Sequence, residues 1–355
     1  MANIAHTIPA GVSFLEGSSF GVTRPGLQVT QYETGPFKSR DWFGYNVATY
    51  NLKIGALDST TTEEWRSFLG QVNAGGNVAW IVEPASSRHY GLICGPIADG
   101  SQTTFCFPVV SPSDSYVFDD GAKASGYSVR SAANLLSDSE AECSSASDWS
   151  KTNAVASSGD DCVLDGISSL EITPNGLGSP RIISVDKVTV VEGREYTARA
   201  SIMCTGSTLR SWRMEIWWYK DSGGTHVSTS SGTLTECPAG TWTDITVTAT
   251  APSATPDTDR ALVAIYRQQD TDTNSVFMDC VALCPGDYDR WHLPSQSPGL
   301  IEFSSAPSSG ARITANVTGA RVARVVIDPN RLSWQMRNSD KAYPSGLIAT
   351  EAPEF

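Results

Sequence analysis

Flat aromatic side chains set beside amide, carboxylate and guanidinium groups form the pattern that binds sugars. The rings take up C–H surfaces and the polar neighbours take up hydroxyls. Three stretches of the chain carry it. In RSWRMEIWWYK (210–220) strict alternation places Arg213, Glu215, Trp217 and Tyr219 on one side, and Trp212, Met214, Ile216 and Trp218 on the other. Tyr266-Arg267-Gln268-Gln269 ends a second strand near a polar loop, and Trp149 stands in a Ser-rich stretch. The candidate sugar-contacting residues are therefore Trp149, Trp217, Tyr219, Tyr266, Arg267 and Gln269. The same residues read equally as core or rim of an ordinary β-sandwich. Trp218 and Trp242 read as core.

Catalytic chemistry finds little footing. The four histidines (His6, His89, His226, His292) are dispersed, and the chain contains no nucleophile-elbow, zinc-protease or phosphate-loop motif. Asp160-Asp161 could serve a glycosidase as paired carboxylates, but they fall in a Ser/Gly-rich loop where charge is usually only solvated. The expectation is a binding or structural protein and not an enzyme. Six of the eight cysteines (Cys143, Cys162, Cys204, Cys237, Cys280, Cys284) cluster in the middle of the chain. Such clustering fits either disulfides or buried thiols. The start MANIAHTIPAG lacks the basic and apolar regions of a Sec signal, which favours thiols made in a reducing compartment. Cys280 and Cys284 alone are too few to ligate a structural zinc.

The elements that must position these residues are mostly strands. The 355 residues suit two domains, and a composition of 18% charged residues with many Gly, Ser and Thr suits short strands and turns. The net charge of -13 argues against broad binding to nucleic acid or to an anionic membrane, and no apolar run approaches the roughly 20 residues of a membrane span. Charge is unevenly spread. Ser131 to Leu293 holds 22 acids and 11 bases, a net of -11, which leaves -2 for the remainder. The fold class expected is mainly β, with a domain of residues 1–130 and 294–355 interrupted by an inserted sandwich, 131–293.

One helix is expected, because Thr60-Thr61-Thr62-Glu63 has capping-box form and Trp65, Phe68, Leu69 and Val72 follow at helical spacing, with Gly75-Gly76 as the stop. Strands are expected at 77–84, 90–97 and 103–110. A Ser- and acid-rich loop follows at 134–162. Further strands are expected at 169–174, 194–204, 210–220, 241–252, 260–268, 275–284, 299–317 and 321–328.

The order of pieces in the outer segments resembles a family of distal tail proteins of long-tailed phages and gene-transfer agents. The pieces are TTTEEWRSFLGQVNAGGNVAWIVEP, DGSQTTFCFPV, a DDGAKASGYSV hairpin, GLIEFSSAPSSGARITANV and a last strand with RVVIDPNRL. The resemblance covers about residues 25–130 and 298–355. It implies a homohexameric ring at the virion tail tip that joins the tail tube to the baseplate hub, beside the tape-measure protein. The middle segment resembles the jelly-roll, galactose-binding-like carbohydrate-binding modules found next to cellulases and xylanases. It does so through NLLSDSEAE, Trp149, SSLEITP, Val190 to Ala200, IWWYKDSGG, GTWTDITVTATAP and VFMDCVAL. This second resemblance implies attachment to host-surface polysaccharide. It also implies a structural Ca²⁺ between the first and last strands, with Glu140, Glu171 and Asp279 at the matching positions. Two alternatives are a carbohydrate-active enzyme or depolymerase accessory, and a purely structural insert.

Overall fold

The structure is a computed structural model. It describes residues 6–7, 19–23, 27–30, 38–41, 47–52, 59–75, 78–82, 87–130, 133–206, 210–222, 224–268, 272–288, 291, 293, 297–327, 334–338, 341–344 and 347–351. It is mainly β, with antiparallel sheets and few helices, as the strand pattern predicted.

The middle of the chain forms a jelly-roll-type sandwich of two sheets. The first runs in the order Trp149–Thr152, Arg181–Ser184, Arg260–Arg267, Arg210–Lys220, Thr225–Ser231. Val188–Thr189 also pairs with Arg260–Arg267, and Thr235–Cys237 with Arg210–Lys220. The second runs Ala154–Gly159, Ser169–Pro174, Val276–Pro285, Glu195–Cys204, Thr243–Thr250. Period-two alternation explains the packing. From the first sheet Ile182, Trp212, Met214, Ile216, Trp218, Val263 and Ile265 point inward, and from the second Leu170, Ile172, Tyr196, Ala198, Ile202, Ile245 and Met278 meet them. Tyr196 and Trp218 lie 6.0 Å apart between ring centres. The Trp218 indole N–H donates to Ser230 Oγ at 2.9 Å, so this large buried side chain leaves no polar atom unpaired.

The Ser-rich stretch is not the loop its composition suggested. It holds a short helix, Asp138–Ala141, closed by a capping box between Ser137 and Glu140. Two edge strands follow, Trp149–Thr152 and Ala154–Gly159. Ser and Thr are tolerated there because each strand pairs along one side only, leaving most side chains half in water. Trp242 is half-buried and lies outside the core that Trp218 anchors.

Contact density divides the chain into two units whose joints fall elsewhere than the charge boundary. One comprises residues 1–4 and 82–322, the other residues 5–81 and 323–355. In the first unit the sandwich is joined by strands from either side of it. Tyr127–Arg130 pairs antiparallel with Gly299–Phe303, Arg130 opposite Leu300, and Gly299–Phe303 pairs with Thr104–Phe107. Residues 313–321 pair with both Ser87–Ile93 and Val109–Asp119. A separate core of Phe105, Phe107, Val109, Val117, Ile301, Ile313 and Val317 fills this part. Val109–Asp119 turns back into Ala122–Lys123 through Asp120-Gly121. Both turn residues have positive φ (47° and 83°), as a two-residue primed turn requires.

In the second unit the helix is Ser59–Gly75, so Thr60 to Glu63 lies inside its first turn rather than before it, while Gly75 is its last residue as expected. Trp65 and Phe68 are buried and stacked 5.1 Å apart. Ser19–Thr23, Val47–Leu52 and Leu347–Glu351 pair antiparallel in that order, and residues 325–327 pair with Leu347–Glu351. His6–Thr7 runs parallel to Val78–Val82. The expected separate strands at 299–317 and 321–328 are instead Gly299–Phe303 and one 15-residue strand, Ile313–Ile327.

Candidate binding face

The outward face of the first sandwich sheet gathers three of the residues singled out from sequence. Register is the reason. Trp217 sits opposite Leu262 and Thr229, Tyr219 opposite Arg260 and His226, and Arg213 opposite Tyr266, which in turn faces Arg181. Three strands that alternate in phase thus present Arg181, Arg213, Glu215, Trp217, Tyr219 and Tyr266 on one surface, and a register shift between Trp218 and Tyr219 brings His226 of the fourth strand to it.

Glu215 organises that surface. Its side chain is 2% exposed, and both oxygens are engaged. Arg213 donates twice to Oε1, from Nε at 3.0 Å and from Nη2 at 2.8 Å, a charge-assisted pair on one oxygen. The Trp217 indole N–H donates to Oε2 at 3.0 Å, and Ser231 Oγ donates to Oε1 at 3.4 Å. Trp217 is thereby held by its polar edge while remaining half-exposed.

Cations lie over each of the rings. Arg181 stands 5.0 Å from the Trp217 ring centre and 5.3 Å from that of Tyr266. Arg213 is 4.5 Å from Tyr266, and the exposed Lys187 ammonium is 4.4 Å from Tyr219. His226 meets both Trp217 and Tyr219 edge-on at 5.4 Å, and its Nε2 lies 3.1 Å from Thr229 Oγ1. Tyr266 shares a hydrogen bond with Ser179 at 3.1 Å. Partial burial pushes the Tyr219 phenol above its ordinary value, so it stays a donor at neutral pH.

The other candidates fall elsewhere. Trp149 is 1% exposed and belongs to the sandwich core, because its strand is the edge strand whose inward residue closes the hydrophobic layer. It offers no surface to a sugar. Arg267 is equally buried, one position out of phase with Tyr266. It lies over Trp212 at 5.9 Å and donates to the Asp272 carbonyl at 3.3 Å, with the Asp272 carboxylate, which Arg210 also pairs, 3.7 Å away. It braces a small cavity behind the sheet. Gln269 lies outside the described residues.

Glu140, Glu171 and Asp279 do not assemble a cation site, and among the described residues no group of three or more His, Cys, Asp or Glu is arranged to hold a metal. Glu140 is spent on its own helix, accepting the Ser137 backbone N–H at 3.0 Å and hydroxyl at 2.8 Å, and its burial raises its pKa. Asp279 is completely buried and accepts backbone N–H groups from Leu164, Asp165 and Cys280 at 2.8, 3.1 and 2.6 Å. Glu171 lies on the Ser169–Pro174 strand between Ser157 and Phe277.

None of the eight cysteines is in a disulfide, and seven are buried. Burial raises the Cys143 and Cys280 thiols well above their ordinary values, with nearby Asp279 adding to it, which makes them poor nucleophiles. The residues sequence reasoning passed over are Arg181, Lys187 and His226. Arg213 and Glu215 were placed on the right face by alternation without being given a role.

No described protein family matches this chain, nor does any curated protein. Among solved structures it is similar to the Clostridium thermocellum xylanase carbohydrate-binding and catalytic modules complexed with xylohexaose. The identity is 12%, over 43% of this chain and 28% of that one, with a TM-score of 0.35. It is also similar to the enzymatically active domain of a tailspike protein of bacteriophage CBA120, at 15% identity over 43% of this chain and 21% of that one, TM-score 0.32. A third similar structure is a xylan-binding domain, at 15% identity over 41% of this chain and 91% of that domain, TM-score 0.32. The chain thus spans about a quarter of the length of the first two.

Proposed function

We propose that this protein is a tail component of a long-tailed phage whose inserted sandwich binds host-surface carbohydrate without cleaving it. The observation that carries the carbohydrate part is the single sheet face on which half-exposed Trp217, Tyr219 and Tyr266 stand among arginines, a histidine and a fixed carboxylate. Apolar ring edges beside directed hydrogen-bond donors suit a pyranose, whose C–H patches alternate with hydroxyls. Hydrolysis would need a second carboxyl group across the scissile bond. The three central strands of this face carry only Glu215, already bonded to Arg213 and Trp217.

The tail assignment rests on the order of motifs in residues 25–130 and 298–355. The insertion of the sandwich, a separate part of the reading, is supported by the way it is attached. The Leu135 N–H donates to the Leu283 carbonyl at 2.9 Å and the Asn134 amide to the Val281 carbonyl at 3.1 Å. The chain therefore enters the sandwich beside where it leaves, and the strands just outside pair with each other. That is the geometry a domain inserted at a loop tip needs. Residues 1–130 and 294–355 would form the ring, at the virion tail tip, contacting tail tube, hub and tape-measure proteins. Six sandwiches on one ring would convert weak single-site binding into avidity.

A glycan array probed with the full chain tests the first part. Binding is expected, with at least a tenfold loss in Trp217→Ala at a temperature where the variant, only about 1 kcal/mol less stable, remains folded. No signal above background would refute it. Negative-stain electron microscopy of the purified protein tests the second. Rings are expected, and monomers at concentrations where tube protein assembles would overturn it.

A further inference from the structure

The charge of this face runs against that of its own domain. Residues 131–293 carry a net -11, yet four of their eleven bases, Arg181, Lys187, Arg213 and Arg260, stand together here; the strands bring one carboxylate, Glu215, and the adjoining loops add Asp186 and Asp259 beside Lys187 and Arg260. Rings lie under three of these cations, Arg181, Lys187 and Arg213, so guanidinium and ammonium groups share the face with the half-exposed aromatic side chains.

Arg213 is matched by Glu215, and the Arg260 guanidinium donates to the Asp259 carbonyl at 2.8 Å. Arg181 is matched only loosely, by a long ion pair without a hydrogen bond. Its Nε lies 3.8 Å from Glu215 Oε2, beyond hydrogen-bond range, and is buried without an acceptor. The guanidinium nonetheless has a defined place, between Trp217 and Tyr266, and the side chain is 31% exposed. Arg213 and Ser231 both hold Glu215 through Oε1 and Trp217 holds Oε2, which leaves Oε2 turned to the indole and 3.8 Å from Arg181. A positioned arginine with unspent N–H groups is a receptor for a planar anion, because its fork matches a carboxylate in two parallel hydrogen bonds. Neutral hydroxyls would leave the surplus charge of two guanidiniums on one carboxylate uncompensated.

Resting on the carbohydrate reading above, we infer that the ligand is an acidic saccharide whose ring carboxylate is taken by Arg181, with its sugar ring against Trp217 and Tyr219. Uronic acid polymers are the simplest members of that class.

Titration calorimetry of the full chain tests this. The probes are oligogalacturonate, oligoglucuronate and oligomannuronate, each paired with its carboxyl-reduced counterpart. At least one acidic member should bind at least tenfold more tightly than its reduced partner. That preference should vanish in Arg181→Gln and survive in Arg312→Gln, an exposed arginine remote in sequence from this face. Arg181→Lys, which keeps charge but not the fork, should recover only part of the affinity. Equal affinity for acidic and reduced partners would overturn the inference and leave the carbohydrate reading standing. An equal loss in Arg181→Gln and Arg312→Gln would reduce it to nonspecific attraction and overturn it too. No heat with any of these, together with an empty glycan array, would overturn both.

Discussion

At the scale of single residues, identical chemistry has opposite meanings according to burial. Glu215 and Asp279 are both nearly inaccessible carboxylates. Glu215 is compensated by the Arg213 guanidinium, whereas Asp279 has only backbone N–H groups and the neighbouring Asp165 carboxyl. Burial therefore raises the Asp279 pKa well above its ordinary 3.8, with the Asp165 charge adding to the effect and the three N–H groups opposing it. A folded value above the unfolded one means that the group's contribution to stability is complete below about pH 4. It is then lost as pH rises through the folded value. Urea midpoints of the wild type and Asp279→Asn should thus differ most in favour of the wild type near pH 4, the gap shrinking towards pH 7. A gap independent of pH would mean that Asp279 titrates as it does in the unfolded chain.

At the scale of one element, Arg210–Lys220 sorts neighbouring tryptophans into different jobs. Trp218 is fully buried against Tyr196, while Trp217, one residue earlier, is half-exposed and tied to Glu215. Trp218→Ala should cost about 3–5 kcal/mol in urea denaturation, from lost burial plus the cavity left behind. Trp217→Ala should cost about 1 kcal/mol, roughly one net hydrogen bond, and show its effect in binding. If both variants were equally destabilised, the strand's two faces would not be core and surface.

At the scale of the molecule, the sandwich meets its flanking strands through close backbone contacts. Gly286 has φ +67°, its N–H donates to the Glu195 carbonyl at 2.7 Å, and a Cβ there would overlap the Thr104 side chain. Gly121 shares the positive φ (+83°) but faces open space. Gly121→Ala should therefore cost only the left-handed backbone penalty, about 1–2 kcal/mol. Gly286→Ala should cost about 3 kcal/mol, because displacement of Thr104 is added. Thermal melts of the two variants separate these terms. Glu302 makes a second tie, since Arg130 and Arg194 both donate to its Oε2, the latter at 2.8 Å. Arg194 comes from the sandwich and Arg130 from the strand before it.

The sequence by itself determined the β class, the strands over 169–174 and 210–220 to the residue, and which side chains of each strand share a face. All of these depend on local alternation of polar and apolar residues, which is written along the chain. It also marked Trp217, Tyr219 and Tyr266 and put the first two on one side of their strand, but not that Tyr266 joins them. That follows from the pairing of Arg210–Lys220 with Arg260–Arg267 and of the latter with Arg181–Ser184, a register set by contacts between distant segments. The burial of Trp149 and Arg267, the short helix in the Ser-rich stretch and the unspent Arg181 were decided only by the tertiary structure. Whether an aromatic or charged side chain meets water or a second sheet depends on what packs over it, and composition around a residue does not say what will.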